Sequence, residues 1–200
     1  MVKKFASLLS ADASNYEKVI TDLEENGYEG FHFDVMDGHF VKNFAFGPRV
    51  IKSLRCHTRL PFQAHLEIKN PGEYIDMFID AGCDIITIHP QTCDAEKELR
   101  YLRAKNIKGS VAIDPDINIE EVFEYLNLID NIIIMSVYPG FGNQKFIASA
   151  LEKIKESKEM IIKSKLDISI SIDGGVSKET EPDIIKSGCD ILIYGSSIFK

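Results

Sequence analysis

Short runs of branched apolar residues alternate with amphipathic segments along almost the whole chain, and this alternation limits the fold more than any other feature. The runs lie at 5–9, 30–34, 62–66, 85–88, 109–113, 132–136, 168–172 and 191–194. Several, such as Ile132-Ile133-Ile134, show little polar alternation, which suits parallel strands covered on both faces. Helical periodicity fills the gaps at 15–25, 74–79, 96–105, 149–163 and 180–186. Ser14 is the expected N-cap of the first helix, with Glu17 as its capping-box partner. Ala81-Gly82-Cys83-Asp84-Ile85-Ile86 recurs as Ser187-Gly188-Cys189-Asp190-Ile191-Leu192, each a helix-ending glycine before a strand. Gly27-Tyr28-Glu29-Gly30-Phe31 is a looser third copy.

Eight strands joined by right-handed crossovers predict an α/β fold, a single (β/α)8 TIM barrel. A doubly wound open sheet needs fewer strands and usually a G-x-G-x-x-G after the first, which is absent. The 200 residues suit one catalytic domain, 1–200. The sequence reaches Lys200 just after the eighth strand, so the expected barrel lacks a full final helix. One seam near the first strand is then left without its usual cover. A second copy of the chain, an extra loop or a truncation would each explain this, and a homo-oligomer is expected.

Lys+Arg 23 against Asp+Glu 31 gives a net charge of −8, a poor match for nucleic acid or an anionic membrane. No apolar run reaches the roughly 18 residues of a membrane span. Lys3-Lys4 and the residues to Ala13 imitate an export signal, but Ser7 and Ser10 interrupt the stretch, which reads better as a first strand. Cys56, Cys83, Cys93 and Cys189 form no C-x-x-C. Reduced thiols are expected, with Cys83 and Cys189 buried, in a cytoplasmic setting.

Barrel enzymes place reactive groups at the C-terminal ends of strands. Here those ends hold His32 and Asp34, His65, and Asp173. His32 and Asp34 are two residues apart and share one side of their strand. Two imidazoles and two carboxylates at one mouth suit a divalent metal. Taken singly, each has a plainer explanation: a hydrogen-bonded structural His, a turn-forming or capping Asp. His39, His57 and His89 lack such company, although His89 ends the fourth run. Asp37 is expected to fix the loop that follows it. Three glycine loops, Pro139-Gly140-Phe141-Gly142, Gly174-Gly175 and Gly195-Ser196, follow the last three runs. Glycines let exposed backbone N–H groups approach a phosphate closely.

Three stretches resemble signatures of the ribulose-phosphate 3-epimerase family. They are His32-Phe33-Asp34-Val35-Met36-Asp37-Gly38-His39-Phe40-Val41, the segment from Met135 through Tyr138-Pro139-Gly140-Phe141-Gly142 to Phe146, and Asp173-Gly174-Gly175-Val176. Ser7-Leu8-Leu9-Ser10-Ala11-Asp12 fits as well, and the similarity runs in order to Phe199. The resemblance implies a metal-dependent isomerase that inverts carbon 3 of a ketose phosphate through an enediolate. By that resemblance one divalent ion (Zn, Fe, Mn or Co) is held by His32, Asp34, His65 and Asp173, and Asp34 and Asp173 are also the acid/base pair. Ser7 and His65 touch the substrate. Gly140, Phe141, Gly142, Asn143, Gly174, Gly175, Gly195 and Ser196 cradle its phosphate.

The sequence departs from the family in the lining. The family commonly has Asp, Met and Asn where this chain has Gln63, Glu67 and Tyr138. It usually has Pro, Gly and a small residue where Lys42, Asn143 and Tyr194 stand. If strand three continues, Glu67 shares the side of His65, where it would accept a hydrogen bond from a sugar hydroxyl; in the plainer alternative it turns out to solvent. Alternatives are therefore an epimerase of another ketose phosphate and a silent sugar-phosphate binder. A decarboxylase or hexulose-phosphate synthase on a similar barrel would carry Asp-x-Lys-x-x-Asp, and His32-x-Asp34-x-x-Asp37 has no lysine.

Overall fold

The computed structural model describes residues 2–199. Eight parallel strands close into a barrel in chain order. They are β1 (Lys3–Ser7), β2 (Gly30–Met36), β3 (Phe62–Glu67), β4 (Ile85–Ile88), β5 (Lys108–Ile113), β6 (Asn131–Met135), β7 (Ser169–Asp173) and β8 (Ile191–Tyr194). All eight expected runs are strands. β2 and β3 extend beyond the runs, to Met36 and Glu67, which carries their side chains up to the mouth.

The helices are α1 (Tyr16–Glu25), α2 (Pro48–Leu54), α3 (Ile75–Asp80), α4 (Ala95–Ala104), α5 (Ala150–Ser164) and α6 (Glu181–Ser187). Helix α2 was not legible as a period, being seven residues long, but Gly47 followed by Pro48 at its first turn is a start signal. A 3-10 run at Ile119–Tyr125 stands between β5 and β6, and a 3-10 turn at Ser196–Ile198 follows β8. The expected Ser14 cap is corrected. Asp12 caps a preceding 3-10 turn by accepting the Ser14 N–H at 3.0 Å, and the α-helix begins only at Tyr16. Glu17 instead lies 3.4 Å from His57 Nδ1.

The repeated Gly-Cys-Asp unit has a physical use. Asp84 and Asp190 each turn back to accept a backbone N–H of the preceding strand, from Phe62 at 2.8 Å and Ile170 at 2.9 Å. Asp130 does the same for Gly109 at 3.0 Å. These strand starts have no earlier ladder partner, so a carboxylate satisfies a donor otherwise left open. Cys83 and Cys189 are buried beside them, and all four cysteines are free.

The main apolar core lies between barrel and helices, with Phe31, Phe33, Ile86, Ile134, Ile172 and Leu192 among its members. A second cluster, including Phe5, Ile85, Ile133, Ile191 and Ile193, fills the inside of the barrel. A Cβ at Gly30 would lie 2.5 Å from the Phe5 ring, so this glycine makes room for the ring. The rest of the interior is polar. Gln63 Nε2 donates to Thr87 Oγ1 at 3.1 Å, Ser110 Oγ to Asn131 Oδ1 at 2.9 Å, and Asn131 Nδ2 to Ser171 Oγ at 2.8 Å. Buried polar groups paired in this way rigidify the interior, and Gln63 links them to His32.

Tyr194 does not line the mouth. Ile191 and Ile193 face inward, so Leu192 and Tyr194 face outward. The Tyr194 ring packs edge-on against Tyr28 at 6.0 Å. Among the described residues, no helix is long and apolar enough to cross a membrane.

Candidate active site

β2, β3 and β7 bring the four expected side chains together. One ligand atom from each of His32, Asp34, His65 and Asp173 lies within 4.8 Å of the others. His32 Nε2 is 3.2 Å from His65 Nδ1, 3.3 Å from Asp34 Oδ1 and 3.6 Å from Asp173 Oδ2. His65 Nδ1 is 3.6 Å from Asp34 Oδ1 and 3.7 Å from Asp173 Oδ2. The inward nitrogens are therefore Nε2 of His32 and Nδ1 of His65.

The opposite nitrogens are engaged from neighbouring strands. His32 Nδ1 meets Gln63 Oε1 at 3.0 Å. The Gln63 amide donates to Thr87, so its oxygen faces the ring as an acceptor. His65 Nε2 meets His89 Nε2 at 2.8 Å, and the two rings stack at 15°. His89 Nδ1 stands 3.2 Å from Asp114 Oδ1. Outer partners of this kind fix a ligand imidazole's tautomer and direction. Sequence reading set His89 aside for lack of company and did not single out Gln63 as an orienting group or Asp114 at all. The signal was present, since His89 and Asp114 each follow the last residue of a strand.

The electrostatics favour positive charge at the centre. Burial alone would lower the pKa of His32, but the carboxylates of Asp34 and Asp173 raise it to about 9. Burial, opposed by Asp34 and reinforced by His89 and His32, lowers His65 to about 4. Asp34 is buried, yet His32 and His65 hold it well below the ordinary carboxylate range. Burial pushes Asp173 up to about 7, with His32 pulling down and Asp34 pushing up. A buried quartet that captures a proton at its centre fits a cation there, and two nitrogens with two carboxylate oxygens suit a divalent metal.

Above the quartet lies a cleft at the mouth of the barrel. Ser7, Asp34 and Asp173 line it together with every glycine-loop residue expected at the phosphate: Gly140, Phe141, Gly142, Asn143, Gly174, Gly175, Gly195 and Ser196. His32 and His65 are fully buried below its lining. Ser7 Oγ donates to Asp34 Oδ2 at 2.7 Å. Asp37 fixes its loop as expected, accepting the N–H groups of His39, Phe40 and Lys69. The loop after β6 is pinned by Asn43 Nδ2 on the Gly140 carbonyl at 2.8 Å and by Gln144 Nε2 on the Tyr138 carbonyl at 2.6 Å. Tyr138 is half-exposed and donates to Asp116 Oδ1 at 2.9 Å. Glu67, by contrast, is 1% exposed and lines the cleft rather than turning to solvent.

The sequence profile of the Ribulose-phosphate 3 epimerase family matches residues 4–199. The chain belongs to the ribulose-phosphate 3-epimerase family. It is 39% identical to a ribulose-phosphate 3-epimerase of Bacillus subtilis, over 100% of this chain and 93% of that protein. It is 36% identical to one of Treponema pallidum, over 97% and 89%. Membership of this epimerase family makes the protein an enzyme of the isomerase class. Solved structures share the barrel at lower identity. A tryptophan synthase alpha-subunit mutant of Pyrococcus furiosus superposes with a TM-score of 0.74 at 14% identity, over 98% of this chain and 87% of that one. A 3-hexulose-6-phosphate synthase gives 0.71 at 18%, over 100% and 92%. At such identities the likeness concerns the fold alone.

Proposed function

We propose that this ribulose-phosphate 3-epimerase family member interconverts D-ribulose 5-phosphate and D-xylulose 5-phosphate, with one divalent cation (Zn, Fe, Mn or Co) held by His32, Asp34, His65 and Asp173. The observation that carries the reading is the pair of carboxyl groups, Asp34 and Asp173, brought from β2 and β7 into one cleft beside the glycine loops. Asp34 is held ionised and Asp173 is pushed to about 7. Inversion requires a base on one face of carbon 3 and an acid on the other, and two carboxyl groups in one cleft can supply them.

In one direction a carboxylate removes the proton on carbon 3, and the electron pair moves into the carbon-2 carbonyl to give an enediolate. The opposing carboxyl group returns a proton to the other face. The roles exchange in reverse. Ser7 holds Asp34 by its 2.7 Å hydrogen bond and keeps one carboxylate oxygen oriented. When bound, the cation supplies Lewis-acid stabilisation of the developing oxyanion.

The phosphate is assigned to the loops after β6, β7 and β8. Gly174 and Gly175 adopt φ of 100° and 58° and admit no side chain: a Cβ on Gly174 would lie 2.4 Å from Val137. Replacing either would disturb the loop itself. Gly195 is the cleaner probe, because a Cβ there meets nothing within 4 Å among the described residues. Gly195→Ala is expected to raise KM about tenfold or more, through blocked approach of the phosphate. An unchanged KM removes Gly195 from the cradle.

The setting of this reading is a cytoplasmic, self-associating enzyme. The placement of Glu67 keeps another ketose phosphate as a second reading. A panel of ribulose, xylulose and longer ketose phosphates tests both. The expected result is the highest kcat/KM for the five-carbon pair, and a longer sugar phosphate handled better overturns the substrate assignment.

A further inference from the structure

Glu67 is a buried carboxyl group that the proton transfer does not use. It ends β3, two residues beyond His65, and its Oε1 lies 3.8 Å from His65 Nδ1. Its Oε2 is buried and has no hydrogen-bond partner among the described residues. The backbone N–H of Gly140 faces the group, and Asp34, Asp173 and Asp114 surround it with like charge. An unpaired buried carboxyl oxygen is unfavourable, because it has given up water and gained no partner. Such a group in a cleft calls for a ligand that completes it.

Its place in the barrel says which part of the substrate arrives there. Strands β3 and β7 stand four apart in a closed ring of eight, so Glu67 lies across the mouth from Gly174 and Gly175. The Gly140 N–H faces Glu67 and is not counted in the cradle, which Gly142 and Gly195 extend to the loops on either side of β7. A ketose 5-phosphate anchored in this cradle, with carbon 3 between Asp34 and Asp173, directs its other end toward β3. That end is carbon 1 with its hydroxyl. We propose that Glu67 is a specificity-determining residue that hydrogen-bonds the carbon-1 hydroxyl of the ketose phosphate. The hydroxyl serves Glu67 as donor or acceptor, so the contact holds in either protonation state of the carboxyl. The proposal rests on the epimerase reading above.

The test compares D-xylulose 5-phosphate with its 1-deoxy analogue, in which a methyl group replaces the hydroxymethyl. Wild type is expected to prefer the hydroxylated substrate by about 10²-fold or more in kcat/KM, because a site built for a hydroxyl rejects an analogue lacking it. Glu67→Met, similar in length and without a strong hydrogen-bonding group, should handle the two within about tenfold. The same preference in wild type and Glu67→Met overturns the proposal. If Glu67→Met does not fold, the wild-type ratio decides alone, and a preference under about tenfold overturns it. Wild type that epimerises both sugars equally sinks only the Glu67 assignment. Wild type that epimerises neither sinks the epimerase reading and this proposal with it.

Discussion

Asp34→Asn and Asp173→Asn are each expected to lower epimerisation by about 10²–10⁴-fold, the usual range for loss of one acid or base. Each carboxyl group serves one face of carbon 3, so neither substitutes for the other. Both side chains also belong to the quartet, and lost turnover alone would not separate proton transfer from lost metal. Two further readouts do. Asn keeps a carbonyl oxygen where the carboxylate oxygen stood, so metal content measured on the purified variant tells whether the centre survives. Each metal-replete variant should still exchange the carbon-3 proton of one epimer with solvent, from the face whose carboxylate remains, without inverting it. Equal exchange from both epimers in both variants would contradict the assignment of one face to each residue.

Chelation is expected to lower turnover by several powers of ten, and readdition of a divalent ion should restore it. The physical reason is the charge balance at the centre: two buried carboxylates face two imidazoles, and Lewis-acid stabilisation of the oxyanion is worth several kcal/mol. The outer partners refine this expectation. His89 holds His65 Nε2 at 2.8 Å with Asp114 behind it, leaving Nδ1 toward the centre. His89→Ala should therefore weaken metal affinity by about 10–100-fold, as loss of such a partner typically does. Titration calorimetry with the metal alone measures this without reference to activity. Wild-type affinity in His89→Ala would show that the His65 ring is held by packing. Full turnover in metal-stripped protein would remove the cation from the mechanism.

The barrel was legible because its determinants are local. Branched apolar runs repeat, and a helix-ending glycine precedes several strands, so all eight strands were readable from sequence. The quartet was legible for the same reason: His32 and Asp34 share a strand face by parity, and His65 and Asp173 end their own strands. What escaped depends on distance across the barrel or on competing short-range bonds. The His65–His89–Asp114 arrangement joins β3, β4 and β5, and no single stretch of sequence shows that their ends meet. Ser14 looked like a cap, but Asp12 reached the Ser14 N–H first and formed a 3-10 turn. Tyr194 was placed in the lining although strand parity from Ile193 already turns it outward.

Turnover of D-ribulose 5-phosphate in heavy water, followed by proton NMR, tests the central claim most directly. Two carboxyl groups that exchange with solvent, one on each face, predict xylulose 5-phosphate carrying deuterium at carbon 3. Xylulose 5-phosphate formed with its original carbon-3 proton would contradict the account.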